Sequence, residues 1–169
     1  GHRYNLMDKK NDFVFESDEE GKVKVLDTSC FIKTTEKGEV LIDPLHKKIQ
    51  NAVAKLIKKD YVHPYVETGL SDAEGQRVDI KGIFKETGEW HYFEIKTDSA
   101  KKSIREALGQ ILEYAHYPNM QRATKLFIVG PQQPDDKDTA YMEFIRKTYG
   151  IPVWFRWYSF EQNKLYDGI

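Results

Sequence analysis

The stretch Arg77–Lys96, which reads RVDIKGIFKETGEWHYFEIK, decides the fold. Residues 76–84 and 90–97 are rich in β-branched and aromatic side chains, and the segment ETGE at 86–89 has the composition of a turn. Such a pattern predicts a β-hairpin. Because successive side chains on a strand point to opposite faces, one face is predicted to carry four apolar residues: Val78, Ile80, Phe93 and Ile95.

The opposite face of the hairpin is predicted to carry Asp79, Glu94 and Lys96. An isolated charge on a largely buried sheet is very costly, so such a group requires mutual pairing or a metal ion. Carboxylate oxygens are hard ligands that favour Mg²⁺ or Mn²⁺. The alternative is a salt bridge on a solvated sheet face, and the spacing alone does not decide between the two.

Length, charge and cysteine content limit the function classes. A chain of 169 residues is most simply one domain with a core of its own. The net charge of −1 gives no global basic signature, so any nucleic-acid surface must be a local patch. The single cysteine, Cys30, excludes an internal disulfide or thiolate cluster. No apolar run approaches the ~20 residues of a membrane span and no signal peptide opens the chain, so a cytoplasmic protein without a membrane partner is expected.

The chain is predicted to divide into an N-terminal β extension and one larger domain. Residues 1–39 are polar, with short apolar alternations that indicate an antiparallel β meander, which we do not expect to fold independently. The larger domain is predicted to occupy residues 40–169. Because the chain begins Gly1-His2-Arg3 rather than with Met, it is expected to be a piece of a longer, multidomain protein.

The first predicted helix runs from Asp43-Pro44, a favourable cap and first position, to about residue 59. His46 and Gln50 lie one turn apart at the edge of its apolar stripe. The rest of its surface is rich in lysines, which indicate either a solvated face or one that follows phosphates: Lys47, Lys48, Lys55, Lys58 and Lys59.

A second helix is predicted at about 101–117, after a capping stretch at 97–100. Gln110 and Tyr114, spaced by four residues, project from one side of it. Its first turns carry the basic residues Lys101, Lys102 and Arg105, which is the unfavourable sign for the helix dipole. Basic residues in the first turns do not stabilise a helix that is only structural, but they suit a helix that approaches phosphate.

The remaining elements are predicted from apolar runs and breakers. Strands are expected at 61–67, 125–130 and 152–158, and a helix at 139–149 after a polar loop at 131–138. Glu67, at the end of the first of these strands, is either a surface residue or a further acid for the charged group.

This order of elements, with Asp79 on the second core strand and Glu94-Ile95-Lys96 on the third, resembles the PD-(D/E)XK nuclease superfamily over roughly residues 44–158. Val78 stands where the name of the superfamily has proline. The element Gln110-Ile-Leu-Glu-Tyr114 is similar to the Q-x-x-x-Y element of the nuclease domains of bacterial recombination helicase–nucleases. Those relatives also place a histidine on the helix before the sheet, which His46 would match.

The resemblance implies an α/β, restriction-endonuclease-like fold, with an αβββαβ core and a mixed central sheet flanked by helices. It implies that Asp79, Glu94 and the backbone carbonyl of Ile95 hold one or two Mg²⁺ ions. His46 would add a ligand or polarise one. Lys96 would bind the attacking water or its hydroxide.

In the same resemblance, Gln110 and Tyr114 have supporting catalytic roles, positioning the site or contacting the phosphate backbone. The implied activity is that of a Mg²⁺-dependent deoxyribonuclease used in restriction, defence or DNA repair, with DNA as its partner. A homodimer would suit the cutting of both strands. Two alternatives stay open: a catalytically inactive nucleic-acid-binding module, and a protein-interaction domain in which the charges form an ion network.

Overall fold

The computed structural model describes residues 15–16, 31–35, 38–67 and 78–169, with side chains from residue 43 onward except at 63, 65 and 67. These residues form nine strands and three helices. The strands are β1 (Phe15–Glu16), β2 (Phe31–Thr35), β3 (Gly38–Ile42), β4 (Tyr61–Glu67), β5 (Ile80–Phe84), β6 (Trp90–Ile95), β7 (Lys125–Gly130), β8 (Val153–Ser159) and β9 (Lys164–Leu165). The helices are α1 (Pro44–Ile57), α2 (Ala100–His116) and α3 (Asp136–Tyr149).

All strands except β2 and β3 join one sheet in the order β1-β4-β5-β6-β7-β8-β9. Pairing is antiparallel from β1 through β6 and again between β8 and β9, whereas β6–β7 and β7–β8 are parallel. Parallel neighbours need a long crossover, and α2 and α3 supply the two that this sheet requires. The chain is therefore α/β with a mixed sheet.

The described part of the N-terminal region contributes two separate features. Strands β2 and β3 pair with each other, with Phe31 opposite Ile42. Strand β1 pairs with β4 at the edge of the main sheet. The rest of the predicted meander lies outside the described residues, as do the loop 68–77 and the side chain of Glu67.

Helix α1 begins as its sequence predicts. The Asp43 carboxylate accepts the Leu45 N–H at 2.9 Å, and Pro44 occupies the first turn, where a missing N–H breaks no helical hydrogen bond. The helix packs on one face of the sheet through an apolar stripe, which with its strand partners forms what we call the α1-side core: Ile49, Val53, Ala54, Ile57, Tyr61, Val66, Ile80, Phe93, Ile95, Val129 and Tyr158.

Helices α2 and α3 contribute to the core on the opposite face of the sheet, which we call the α2-side core. The Ser99 hydroxyl caps α2, as the capping stretch predicts. The apolar 3.6-residue period of α2 places four of its residues in this core: Ile104, Ala107, Ile111 and Ala115. From α3, Met142 and Ile145 join them.

Helix α3 starts three residues earlier than the sequence predicted. The Asp135 carboxylate accepts the Asp138 N–H at 2.8 Å, and the Asp138 carboxylate accepts the Asp135 N–H at 3.0 Å. This reciprocal capping box satisfies orphan backbone donors, so residues 136–138 form the first turn rather than the end of a loop. The helix ends at Gly150, whose φ of 66° is the left-handed C-cap expected for glycine.

The predicted hairpin forms as β5 and β6, with Gly88 in the turn at a φ of 74°. Ile80, Phe93 and Ile95 share the α1-side core, as the alternation predicted. The prediction was wrong for Val78, which packs in the α2-side core. The chain bends at Asp79, immediately before β5 begins, so the strict alternation of strand side chains does not extend back to residue 78.

The last predicted strand forms as β8, and the chain after it returns along the same edge. The Tyr166 N–H donates to the Trp157 carbonyl at 2.9 Å, and the Ile169 N–H donates to the Phe155 carbonyl at 3.0 Å. This return was not predicted, because residues 160–169 have no alternating apolar pattern. Within the part of the chain that the structure describes, no helix has the length and apolar character needed to cross a membrane.

Candidate functional site

The predicted charged group lies at the end of β6, between the layers formed by α1 and α2. Asp79 is held in place by strand and helix together. Its Oδ2 accepts the backbone N–H of Ile95 at 2.7 Å and lies 3.2 Å from His46 Nε2. A carboxylate oxygen held by a backbone N–H and an imidazole nitrogen is fixed in orientation.

Gln50 adds a contact that the sequence did not assign to the site. Its side-chain amide donates to the backbone carbonyl of Asp79 at 2.8 Å, and the residue is buried. Helix α1 therefore holds Asp79 by two side chains one turn apart, His46 on the carboxylate and Gln50 on the main chain. The four-residue spacing was visible in the sequence, but nothing there showed that both side chains turn toward Asp79.

The electrostatics of His46 follow from this contact. Burial alone lowers the pKa of an imidazole. In His46 the negative charge of Asp79 and the hydrogen bond to it outweigh burial, so the pKa of His46 is raised above its ordinary value. Lys96 opposes this effect with its own positive charge. The imidazole of His46 therefore keeps its proton to a higher pH than a histidine with an ordinary pKa.

Lys96 links the strand to α2. Its ammonium lies 3.8 Å from Glu94 Oε1 and donates to Gln110 Oε1 at 2.7 Å. Glu94 is buried, whereas Gln110 is exposed on the outer surface of α2. The predicted grouping of Glu94, Lys96 and Gln110 is therefore present, and the glutamine contacts the lysine directly.

Asp79 is tied to the end of β6 next to Glu94. The paired register of the hairpin begins with Ile80 opposite Phe93, and just before it the Asp79 carboxylate accepts the N–H of Ile95, the residue after Glu94. Each acid has a cationic partner, His46 at 3.2 Å from Asp79 and Lys96 at 3.8 Å from Glu94.

The donor set can be compared with the needs of a metal ion. Among the residues that the structure describes, no three His, Cys, Asp or Glu side chains converge as a ready metal cluster. Mg²⁺, however, is commonly held by one or two carboxylates with water completing its shell. Asp79, Glu94 and the Ile95 carbonyl are oxygen donors of that kind, and their chemistry fits Mg²⁺ or Mn²⁺. His46 is directed at Asp79, which favours its predicted role of polarising a ligand over that of a ligand itself.

Tyr114 and the basic residues of α2 occupy different surroundings. Tyr114 is half-buried and packs against the α2-side core. Lys102 pairs with Asp98 at 2.5 Å and with Glu106 at 3.9 Å, and its hydrogen bond lowers the pKa of Asp98. The basic first turn therefore has local acidic partners for Lys102, which gives this lysine a structural role that the sequence analysis did not foresee.

Comparison of the chain with protein-family models, with curated proteins and with solved structures finds no match.

Proposed function

We propose that this chain is a metal-dependent nuclease of the PD-(D/E)XK type, on a restriction-endonuclease-like core, that hydrolyses phosphodiester bonds in DNA. The observation that carries the proposal is the contact of Asp79 with the end of β6: its carboxylate accepts the Ile95 N–H beside Glu94, and the Lys96 ammonium lies 3.8 Å from Glu94. An acid pair with an adjacent ammonium, placed where a sheet ends between two helices, suits the binding of a cation and of a phosphate together.

Each residue has a chemical task in this proposal. Mg²⁺ or Mn²⁺, when bound, would lower the pKa of a water molecule and neutralise charge on the scissile phosphate. Asp79 presents a carboxylate whose orientation is fixed by Ile95 and His46. The Lys96 ammonium donates a hydrogen bond to the attacking water or to a phosphate oxygen.

Gln110 fixes the lysine in this proposal. Its carbonyl oxygen accepts a hydrogen bond from Lys96, which limits the rotation of a long, flexible side chain. Fixing a reacting group in advance lowers the entropy lost in the transition state. Tyr114 would support α2 from the core side. The biological setting that we propose is restriction, defence or DNA repair.

The test is calorimetric titration of Mg²⁺ and of Mn²⁺ into the wild type, Asp79→Ala and Glu94→Gln, with cleavage of a supercoiled plasmid measured in parallel. Asp136→Asn and Glu106→Gln are matched controls, because these acids are exposed on α3 and α2. We expect metal binding and metal-dependent nicking in the wild type and both controls, and neither in the two site variants. Cleavage that survives both site substitutions would refute the proposal.

One observation favours a second candidate, a nucleic-acid-binding or protein-interaction module without catalysis. Two pairs of side chains in the site already contact each other, His46 with Asp79 and Lys96 with Gln110. Polar pairs of this kind form a structural ion group without any metal. In this case the wild type would neither bind Mg²⁺ nor cut the plasmid, and Asp79→Ala would lower stability instead.

A further inference from the structure

Helix α1 and the turn after it carry a positive charge that the rest of the chain does not share. Residues 44–59 contain five lysines and no acidic residue. The whole chain has a net charge of −1, so the remainder of the chain is net negative. Charge that is concentrated on one element creates a local positive potential, and this potential attracts anions although the protein as a whole is nearly neutral.

Three of these lysines lie along the solvent side of the helix. Lys48 and Lys55 are seven residues apart, which is two turns and about 10 Å along a helix axis. Lys59 comes four residues later, just after α1 ends at Ile57. All three lysines are exposed, whereas the apolar stripe of α1 is packed in the α1-side core. The three ammonium groups are therefore open to a ligand in solution.

The tertiary structure adds a fourth lysine at the far end of this row. The Lys85 ammonium donates to the backbone carbonyl of Lys59 at 2.7 Å and to that of Lys58 at 3.4 Å. Carbonyls at the end of a helix carry partial negative charge, so this contact holds the cation in place. Lys85 is exposed, and it comes from the chain after β5. We call the four exposed residues Lys48, Lys55, Lys59 and Lys85 the lysine face.

The charges on α1 have no acidic neighbours of the kind found on α3. On α3, the Lys147 ammonium lies 3.5 Å from the Glu143 carboxylate, one turn away. Within the part of the chain that the structure describes, no acid lies in ion-pairing distance of Lys48, Lys55 or Lys59. Such charges are balanced by mobile ions, which a bound polyanion releases with a gain in free energy.

The lysine face starts at the same end of α1 as the candidate site. His46, two residues before Lys48, lies 3.2 Å from the Asp79 carboxylate. From Lys48 to Lys59 the face runs about 16 Å along the helix direction. Base pairs of B-DNA are about 3.4 Å apart along the axis, so the face covers about five base pairs. A duplex on this face passes the end of the helix at which the acids lie.

We propose that the lysine face binds the phosphate backbone of double-stranded DNA and holds the duplex next to the candidate site. Lysine contacts phosphates as a point charge and does not read bases in this role, so the binding is independent of base sequence. Helix α1 contains no Phe, Tyr or Trp, so it lacks the rings on which unpaired bases of a single strand stack. The inference rests on the proposed function for the identity of the polymer as DNA, and it names the duplex as the substrate class.

The test is fluorescence anisotropy of a labelled DNA duplex and of one of its strands alone, measured in EDTA at several salt concentrations. The main variant combines Lys48→Gln with Lys55→Gln. Its matched control combines Lys137→Gln with Lys147→Gln, which are exposed on α3, a helix that packs on the opposite face of the sheet. Both variants remove two charges, so a change in net charge alone affects them equally. Glutamine has nearly the helix propensity of lysine, so both variants should keep their helices.

We expect the wild type to bind the duplex more tightly than the single strand, because the duplex has the higher density of phosphate charge. The α1 double variant should reduce the slope of log affinity against log salt by roughly 1.8, since each phosphate contact on B-DNA contributes about 0.9. The α3 double variant should leave the slope unchanged. Equal slopes in the two double variants, or tighter binding of the single strand, would overturn the inference.

A second readout locates the contact in the wild type without any substitution. A reagent that acetylates amines modifies exposed lysines, and mass spectrometry measures the extent of modification at each position. Bound duplex should protect Lys48, Lys55 and Lys59 and leave Lys137 and Lys147 as reactive as in the free protein. Protection of the α3 lysines to the same extent, or no protection of the α1 lysines, would mean that the duplex does not lie on this face.

These outcomes are separable from those of the nuclease proposal. The binding assay contains no free metal, and Asp79→Ala should keep the full salt slope. Loss of metal binding and cleavage in Asp79→Ala, with no effect of the α1 double variant on duplex binding, would refute the lysine-face inference alone. Duplex binding that depends on the α1 lysines, in a wild type that neither binds metal nor cuts, would refute the nuclease proposal alone.

Discussion

Lowering the pH from 7 to 5 is expected to destabilise this protein through His91. The imidazole is buried under Tyr61 and against Phe84, and burial lowers its pKa to about 4. In the unfolded chain the same group titrates near 6.5. Between these two values His91 binds more protons in the unfolded state than in the folded state. Its contribution to stability therefore falls as the pH falls through this window and is constant above it.

The magnitude follows from the two pKa values of His91. One pKa unit corresponds to about 1.4 kcal/mol, so the full loss by pH 4 is about 3 kcal/mol for the values of 6.5 and about 4. Integrated from pH 7 to pH 5 alone, the loss is about 2 kcal/mol. For a chain of this length that corresponds to a lowering of Tm by roughly 4–8 °C.

His46 contributes with the opposite sign. Its pKa is raised in the fold, so its stabilising contribution is fully present below the unfolded value and is lost as the pH rises through the folded value. The wild type therefore shows the sum of two opposing effects. The variant His91→Asn separates them, because asparagine can accept the hydrogen bond of Tyr61 but does not titrate.

The assay is urea unfolding of the wild type and His91→Asn at pH 7 and pH 5. We expect the wild type to lose about 2 kcal/mol more than the variant over this interval. His116→Asn serves as the control, since His116 is half-buried at the end of α2, and this variant should follow the wild type. Equal losses in the wild type and His91→Asn would refute the reasoning.

Three further predictions concern the site and the sheet. Lys96→Met should retain metal binding in calorimetry but lower single-turnover plasmid cleavage by at least about 10²-fold, because the group that binds water or phosphate is removed. Gln50→Leu should lower the free energy of unfolding in urea by about 1–3 kcal/mol, because it leaves the carbonyl of the site aspartate without its 2.8 Å donor. Gly82→Ala should lower the free energy of unfolding in urea by about 1–3 kcal/mol, since the added Cβ would lie 2.9 Å from Tyr61. Its control is Gly109→Ala on α2, where an added Cβ would have nothing within 4 Å, and this change should raise the free energy of unfolding by up to about 1 kcal/mol.

Each of these predictions has an outcome that contradicts it. Loss of metal binding in Lys96→Met would mean that the lysine organises the acids rather than the water. A Gln50→Leu variant as stable as the wild type would mean that the hydrogen bond is replaced by another donor. If Gly82→Ala and Gly109→Ala changed stability in the same direction, the close contact of a Cβ at position 82 with Tyr61 would not be the cause of the change.

The sequence by itself determined the local elements. Asp43-Pro44 and Gly150 place the start of α1 and the end of α3, because capping depends on neighbouring backbone groups alone. Alternation predicted β5 and β6, and a 3.6-residue period predicted α2, since these periods follow from backbone geometry. The mixed α/β sheet was predictable from the order of helices and strands along the chain. The proximity of Lys96 to Glu94 and Gln110 was predictable from the E-I-K motif and the Q-x-x-x-Y element on the helix that follows it.

The failures of the sequence predictions have physical causes. Helix α3 starts early because Asp135 and Asp138 cap it with reciprocal hydrogen bonds. In the sequence these two residues look like part of an ordinary polar loop. The placement of Val78 depends on a bend that alternation does not encode. The return of the chain along β8 is held by backbone hydrogen bonds, which are nearly independent of side-chain type.

Only the tertiary structure decided how distant side chains meet. Gln50 reaches Asp79 across 29 positions of sequence, and Tyr61 reaches His91 across 30. The ring contacts of His91 with Phe84 and Phe127 need three strands brought together in register. The physical reason is that packing and hydrogen bonding act over a few ångströms in space, whereas a single sequence records only neighbours along the chain.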